Sequence, residues 1–270
     1  MNFLIHGEQG SGKTYLMFTL LELAKEPAKI FVIMVDREGE TTLDGMPEIY
    51  DRKRLNLFRC WNPEKPSELL YNKVMEGIHY AHRHYKEYSF VCIDSLTSLG
   101  GERAFFSQEI DATQLTIADY QRALRKQRPQ LSGKRGEGES DWGIIRYDIE
   151  SAIRQLYKIP THIFATALTT TEEKNMLYAI PLPTKGEIVW EPQPRLIPSV
   201  PTRIRETLGQ FTNYTGWCFK QGIHHPDHYV TFDHGLAETK WRGPIPPDFP
   251  LKNPTMHKIA KYIKKGDESV

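Results

Sequence analysis

The sequence predicts an α/β fold in which a mainly parallel sheet is flanked by helices. Short apolar runs of strand length alternate with stretches of helical period along the 270 residues, which is typical of successive strand–helix–strand units. A glycine-rich segment separates the first apolar run from the first helical stretch. Near the other end, apolar runs around 215–220 and 228–233 follow each other without a helix. They predict an antiparallel hairpin that extends the sheet at its C-terminal side.

The most specific motif lies within the first fourteen residues. Asn2 to His6 predicts a buried parallel strand, and Tyr15 to Lys25 predicts a helix that ends before a proline. Between them, the segment Gly7-Glu8-Gln9-Gly10-Ser11-Gly12-Lys13-Thr14 matches the phosphate-loop pattern G-x-x-x-x-G-K-[ST] in full. Backbone N–H groups of such a loop bind a phosphate chain. Lys13 is predicted to reach the β- and γ-phosphates, and the Thr14 hydroxyl to ligate Mg²⁺.

Composition and charge exclude several other classes of function. The formal net charge is +1, so no overall charge attracts the chain to nucleic acid or to a membrane surface. No apolar run reaches the length of a membrane span, and no secretory segment precedes the first predicted strand. Cys60, Cys92 and Cys218 form no C-x-x-C pair. We therefore expect a cytoplasmic protein without a membrane partner.

A later predicted strand, Tyr88 to Asp94, ends in a carboxylate. An apolar strand with a terminal aspartate is how phosphate-loop enzymes place the Mg²⁺-orienting carboxylate beside the loop hydroxyl, so Asp94 is predicted to complete the metal site with Thr14. Ser95 follows, where some classes of these enzymes carry a glutamate. The base that activates the attacking water must therefore come from another strand.

The stretch from Ile93 to Leu99 (IDSLTSL) resembles the RecA-like ATPases, which include recombinases, clock-protein-like ATPases and hexameric replicative helicases. In RecA the catalytic glutamate follows the second strand in an Asp-x-Glu arrangement. Asp36-Arg37-Glu38 stands after the second predicted strand here, so the resemblance implies Glu38 as the general base. Asp36 and Glu40 remain alternatives, because geometry decides which carboxylate can act.

Two further assignments follow from this resemblance. The predicted strand from Thr161 to Ala167 should lie between the phosphate-loop strand and the Asp94 strand, and Thr169 after it should sense the γ-phosphate. Lys240-Trp241-Arg242-Gly243 resembles the family's K-x-R-x-G element, with one residue fewer before the glycine. It implies that Lys240 and Arg242 reach a neighbouring subunit's γ-phosphate in a homo-oligomer, either a hexameric ring or a filament. The alternative is a basic β-turn.

Contact with single-stranded DNA is implied for one irregular region. RecA-like proteins carry a DNA-contacting loop after the Mg²⁺ strand, and here basic residues cluster around the turn SGKRGEG: Arg122, Arg125, Lys126, Arg128, Lys134 and Arg135. The alternative is a solvated surface loop. The basic amphipathic helix predicted from Pro254 to Lys265 either docks on the core or contacts nucleic acid. The H-H-x-x-H pattern of His224, His225 and His228 is interpreted as a turn, because structural metal sites need a closed ligand set.

Together these patterns predict one RecA-like ATPase domain over 1–250, with irregular insertions at about 100–141 and 170–200, followed by a basic C-terminal helix within 251–270. The layout resembles the short RecA-like proteins of phages and archaeal viruses. That resemblance implies Mg²⁺-dependent ATP hydrolysis coupled to single-stranded DNA in recombination, annealing or replication. Two alternatives stay open: a viral DNA-packaging or assembly motor, against which Ser95 argues, and a nucleotide-gated switch that binds a protein partner. ATP is implied by the family, since the loop does not recognise the base.

Overall fold

The computed structural model describes residues 1–24, 26–47, 50–60, 70–100, 141–181, 188–200, 202–222 and 226–267. Within these ranges it describes no side chain for residues 37, 38, 100, 141–147, 173–181, 188–193, 202, 203 and 264–267. The six basic residues proposed to contact DNA lie outside the described residues, and so do His224 and His225.

The strands of the described chain are β1 (Asn2–Gly7), β2 (Lys29–Met34), β3 (Leu55–Arg59), β4 (Tyr88–Asp94), β5 (His162–Pro181), β6 (Ile188–Pro198), β7 (Tyr214–Gln221), β8 (Asp227–Thr231) and β9 (Leu251–Lys252). Its α-helices are α1 (Lys13–Phe18), α2 (Leu70–His84), α3 (Leu96–Gly100), α4 (Asp141–Tyr157), α5 (Thr202–Phe211) and α6 (Met256–Asp267). Short 3-10 helices cover Thr19–Glu22, Arg37–Leu43, Arg52–Arg54 and Tyr85–Glu87.

The described strands form a mainly parallel sheet in the order β3-β2-β4-β5-β1-β7-β8-β9, with β6 paired to β5 outside this path. Each pair of neighbouring strands in the path β3-β2-β4-β5-β1-β7 is parallel. β8 and β9 are antiparallel additions, which confirms the predicted C-terminal hairpin. β5 lies between β1 and β4, as the sequence predicts. The carboxyl ends of β1, β2 and β4 therefore meet at one edge of the sheet, where ligands bind in open α/β folds.

Both faces of the sheet are covered by helices, which is why its central parallel strands β2 and β4 are mainly apolar and buried. Along β1, Phe3 and Ile5 face α1 and α6, whereas Leu4 faces α2, α4 and α5. This alternation follows from the two-residue period of a strand. Burial of Met256, Ile259 and Ile263 shows that α6 docks its apolar side on the core. All three cysteines are free and buried. None of the described helices has the length and apolar character needed to cross a membrane.

Two elements differ from the prediction. The first helix is α-helical only to Phe18 and continues as a 3-10 turn to Glu22, instead of reaching Lys25. Thr19 lies at this transition, where its hydroxyl donates to the Leu16 carbonyl and accepts from the N–H of Met256 in α6. A hydrogen bond from a threonine hydroxyl to the preceding turn competes with regular α-helix. The contact with α6 is tertiary, so helix propensity along the sequence does not predict where α1 ends.

The second difference concerns the proline-rich region near 170–200. β5 continues far beyond the seven residues predicted for it and pairs with β6 in an antiparallel hairpin. The sequence predicted an irregular insertion at about 170–200, whereas the backbone of this region forms a hairpin. Its prolines are tolerated because strand edges accept residues that lack a backbone donor.

Candidate functional site

The phosphate-loop motif connects β1 to α1 in a conformation that requires glycine at two positions. Gly10 has φ of 69° and Gly12 has φ of 95°, both in the left-handed region that other residues rarely adopt. Gly12 is the residue before α1, and its carbonyl accepts the helical bond from the N–H of Leu16 at 2.9 Å. The loop is thus held by glycine geometry and by the first turn of α1, with its backbone amides in the strand–loop–helix context of a phosphate site.

Lys13 is the first residue of α1, and its buried side chain reaches back to the loop. Its Nζ donates to the carbonyl oxygens of Gly7 at 2.9 Å and Glu8 at 2.7 Å. Burial lowers the pKa of this ammonium, and the nearby carboxylates of Asp94 and Asp36 oppose that shift. The loop carbonyls therefore satisfy the cation in this conformation, and phosphate oxygens would take over these bonds when a ligand enters.

Asp94 lies beneath the loop at the carboxyl end of β4, and it is only 3% exposed. Its Oδ2 accepts a hydrogen bond from the Thr14 hydroxyl at 2.8 Å. Its Oδ1 accepts from Thr166 on the neighbouring strand β5, a residue that no sequence motif marked. Burial raises the pKa of Asp94, while the two hydroxyl bonds stabilise its charged form and oppose the rise. The structure thus brings together the two predicted metal-site residues.

These donors fit Mg²⁺. The cation prefers oxygen ligands, binds through one or two protein groups, and completes its shell with water and substrate phosphates. Thr14 offers a hydroxyl at the start of α1, and Asp94 offers a desolvated carboxylate bonded directly to it. The Thr14 hydroxyl would hold the metal, and Asp94 would orient the hydroxyl and the metal's water ligands.

The loop forms one wall of a cavity of about 670 Å³. The 3-10 turn after β2 forms another wall and packs closely on Asp94: a Cβ placed on Gly39 would lie 2.6 Å from Asp94 Oδ2. Leu168 at the exit of β5 and His228 on β8 also face the cavity. The remaining lining comes from Asn253, Pro254 and Thr255, just before α6. A chamber of this size, with phosphate-loop groups at one end, can hold a small ligand.

The three carboxylates considered for the base are placed differently. Asp36 lines the cavity, and its Oδ2 accepts a hydrogen bond from Ser98 at 3.3 Å. Glu40 faces Arg59, whose Nε lies 2.9 Å from Oε2, and these bonds hold the pKa of Glu40 below its ordinary value. Glu38 belongs to the 3-10 turn after β2, but its side chain lies outside the described residues. Glu40 is therefore committed to an ion pair, and Asp36 faces the ligand cavity.

Thr169, the predicted γ-phosphate sensor, has its hydroxyl against His6, at 2.9 Å from Nδ1. Its neighbour Leu168 lines the cavity instead. Successive side chains of a strand point to opposite faces, so a shift of one position along β5 exchanges the residue that meets the ligand. The described structure thus places Leu168 on the cavity and Thr169 behind it.

Lys240 and Arg242 lie far from the loop of their own chain. Lys240 Nζ donates to the carbonyls of Gly209 at 2.9 Å and Thr212 at 2.7 Å, at the C-terminal end of α5. Arg242 is exposed and lies close to the amino group of Met1. The pKa of this amino group is lowered mainly by burial and also by the Arg242 guanidinium. Met1 precedes β1, whereas the phosphate loop follows it, so the two features lie at opposite edges of the sheet. A role for this pair at a γ-phosphate would require a neighbouring subunit.

Comparison with known proteins adds a likeness of fold. No family model and no curated protein matches the chain. Among solved structures, it is similar to a prototypical ATPase from the type III secretion system of pathogenic bacteria (13% identity, 81% of this chain and 52% of that one, TM-score 0.42). It is also similar to the flagellar accessory protein FlaH from Methanocaldococcus jannaschii (10% identity, 89% and 81% covered, TM-score 0.42). The chain thus spans about half the length of the secretion ATPase. At such identities and TM-scores, neither likeness bears on the reaction.

Sequence patterns did not predict several residues that the fold brings to the loop, and His228 was interpreted as part of a turn, whereas it lies in β8. Lys220, near the end of β7, lies over Gly10, and His228 on β8 lies over Gly12. Asn253 is held beside His228 by a bond from its own N–H to the His228 carbonyl at 2.6 Å. The predicted hairpin places Lys220 and His228 on paired strands, but it does not predict that these strands pack on the phosphate loop.

Proposed function

We propose that this chain is a Mg²⁺-dependent ATPase of the RecA-like class, acting as a homo-oligomer on single-stranded DNA. The observation that carries the proposal is the direct hydrogen bond between Thr14 and Asp94 beneath the phosphate loop. A full phosphate-loop motif supports binding of a polyphosphate. The buried carboxylate joined to its hydroxyl adds the oxygen donors that a metal–triphosphate complex needs. The strand inserted between β1 and β4 supports the RecA-like class.

Hydrolysis needs charge stabilisation and a positioned water. When bound, Mg²⁺ supplies positive charge to the phosphate oxygens. Lys13 contributes a second positive charge after exchanging its loop carbonyls for phosphate. We propose Glu38 as the base that orients the attacking water, on the strength of its place in Asp36-Arg37-Glu38. Asp36 is the alternative, and its position on the cavity wall supports it.

The oligomer and the DNA partner rest on the family resemblance and on charge. Arg242 is proposed to act on a neighbour's γ-phosphate, and its exposure leaves it accessible for that role. The basic cluster between 122 and 135 is proposed to contact DNA, which would make binding dependent on salt concentration. We further propose that 1–250 is one ATPase domain carrying a C-terminal segment, 251–270. The pathway proposed is recombination, annealing or replication, as in the short RecA-like proteins of phages and archaeal viruses.

Steady-state ATP hydrolysis with and without single-stranded DNA tests the proposal. We expect turnover that requires Mg²⁺, rises with DNA, and falls at least about a hundredfold in Lys13→Ala, because a preorganised charge at the transferred phosphate is lost. Glu38→Gln should abolish turnover while leaving ATP binding intact, and Asp36→Asn serves as its matched comparison. Turnover that survives Lys13→Ala would contradict the assignment of the site.

A nucleotide-gated switch is a second candidate, favoured by one observation. Lys240 is engaged by carbonyls of its own chain, which removes one of the two cations from the free surface. A switch would bind ATP tightly and change partner affinity without sustained turnover. Nucleotide binding measured beside hydrolysis separates the two candidates: tight binding without turnover, with or without DNA, supports the switch.

A further inference from the structure

The hairpin of β7 and β8 covers one side of the phosphate loop. β7 runs parallel to β1, with Cys218 in register with Gly7. β1 ends at that point and turns into the loop, but β7 continues to Gln221. The last residues of β7 therefore extend beside the loop. In the antiparallel pairing, Lys220 is in register with His228, so these two basic side chains share one face of the hairpin.

Both side chains meet the loop at its left-handed glycines. A Cβ placed on Gly10 would lie 2.8 Å from Lys220 Nζ, and a Cβ placed on Gly12 would lie 3.2 Å from His228 Nδ1. Any larger side chain at either glycine would displace a basic group of the hairpin. The loop and the hairpin are thus packed so closely that an anion on the loop comes near the hairpin as well.

Neither side chain has a protein partner within the described part of the chain. The Lys220 side chain is exposed and has no hydrogen-bond or ion-pair partner among the described residues. His228 Nδ1 is buried and lacks a hydrogen-bond partner there, although the ring borders the ligand cavity. Asp227, the acid next to His228, pairs instead with Lys252 at 2.7 Å. Buried polar groups are normally hydrogen-bonded, so an orphan beside an anion site indicates an acceptor that arrives with a ligand.

We propose that Lys220 and His228 form a second basic wall of the polyphosphate site, opposite the Mg²⁺ side formed by Thr14 and Asp94. This inference rests on the proposed function, because it takes a nucleoside triphosphate as the ligand. It adds that the phosphate chain is held between the loop and the hairpin. Binding of the polyphosphate therefore depends on Lys220 and His228 as well as on the loop.

Calorimetric titration of the full chain with ATP and with inorganic tripolyphosphate, each with Mg²⁺, tests the proposal. Lys220→Ala should weaken binding of both ligands about tenfold or more, because a charged hydrogen bond to phosphate is lost. Lys220→Arg should restore most of the affinity. His228→Ala should weaken both ligands several-fold, and His228→Asn should recover part of the loss by replacing the Nδ1 hydrogen-bonding atom. Lys29→Ala, an exposed lysine at the far edge of the sheet, is the control and should bind as the parent chain does.

The outcomes separate this inference from the proposed function. If Lys13→Ala abolishes binding while Lys220→Ala and His228→Ala bind within twofold of the parent chain, the second basic wall is overturned and the ATP site stands. If the parent chain binds neither ligand, the proposed function fails and the inference fails with it. If His228→Ala weakens ATP but leaves tripolyphosphate unchanged, the histidine contacts the nucleoside, and its half of the proposal is overturned.

Discussion

His6 is buried just before the phosphate loop, and both of its ring nitrogens have partners. Nε2 lies 2.7 Å from the Glu238 carbonyl, which can only accept a hydrogen bond. Nε2 therefore carries a proton. Burial disfavours the charged ring and lowers the pKa of His6 to about 4, so the ring is neutral near pH 7. In the neutral ring, Nδ1 accepts from the Thr169 hydroxyl at 2.9 Å. One histidine thus joins β1, β5 and the segment that leads to Lys240.

The lowered pKa predicts how stability depends on pH. Between about 4 and the ordinary value of 6.5, the unfolded chain binds a proton at His6 that the folded chain does not. The contribution of His6 to the free energy of unfolding should therefore be fully present above pH 6.5 and decrease as the pH decreases. The decrease between pH 7 and pH 5 should be roughly 2 kcal/mol. Urea unfolding of the parent chain and of His6→Gln at both pH values measures it.

The difference between the two proteins isolates the histidine. Other groups, including His162 and His234 with their lowered pKa values, titrate alike in both chains and cancel. We expect His6→Gln to be less stable at pH 7 but to lose less stability on acidification. Equal pH dependence in the two chains would contradict a neutral His6 in the folded state.

At the scale of single elements, Lys240 stabilises the end of helix α5. The last carbonyls of a helix have no partner within it, and a cation there also interacts favourably with the helix dipole. Lys240 bonds two such carbonyls, at 2.9 and 2.7 Å, from the neighbouring segment. Trp241 follows and packs against Tyr214, Phe232 and Phe249, which fixes the direction of the segment. The motif therefore has a structural role within its own chain.

We expect Lys240→Ala to lower the free energy of unfolding by about 1 kcal/mol, since a helix-terminal cation and its hydrogen bonds are lost. Arg242→Ala is the matched control: its side chain is exposed, and its loss should change stability by less than about 0.5 kcal/mol. Urea denaturation of both variants measures this. An unchanged unfolding midpoint in Lys240→Ala, together with lost turnover, would assign Lys240 to catalysis across subunits instead.

At the scale of the whole molecule, the parallel sheet separates Arg242 from the phosphate loop of its own chain. Arg242 lies near Met1, before β1, and the loop begins after Gly7. Six residues of strand span about 20 Å, which is more than an arginine side chain covers. Arg242 can therefore contribute to hydrolysis only from a neighbouring subunit, whose edge would have to face this loop.

Mixing two inactive variants tests that arrangement. Lys13→Ala keeps Arg242, and Arg242→Ala keeps the loop, so a mixed oligomer contains some interfaces with both groups intact. With random assembly at equal amounts, roughly a quarter of the interfaces are complete. We expect ATP hydrolysis to reappear in the mixture although each variant alone is inactive, with the oligomer measured by light scattering. A mixture that stays inactive while mixed oligomers form would contradict the cross-subunit role.

Features that depend on contiguous residues could be predicted from the sequence. The loop from Gly7 to Thr14, the strand ending at Asp94 and the apolar stripes of the helices are local patterns, because periodicity and glycine conformations are properties of the chain segment itself. The predicted order of β1, β5 and β4 was also correct. That order was predicted from the family resemblance, since the apolar runs alone do not predict which strands are neighbours in the sheet.

The distant side chains that contact the loop could be identified only from the folded chain. Lys220 and His228 reach it through strand register, and a shift of one residue would point them away. The same two-residue period turned Thr169 toward His6 and Leu168 toward the cavity. Lys240 donates to carbonyls at the end of α5, a contact that no sequence motif predicts. In each case the contact joins residues far apart in sequence, and its geometry depends on packing that local propensity does not contain.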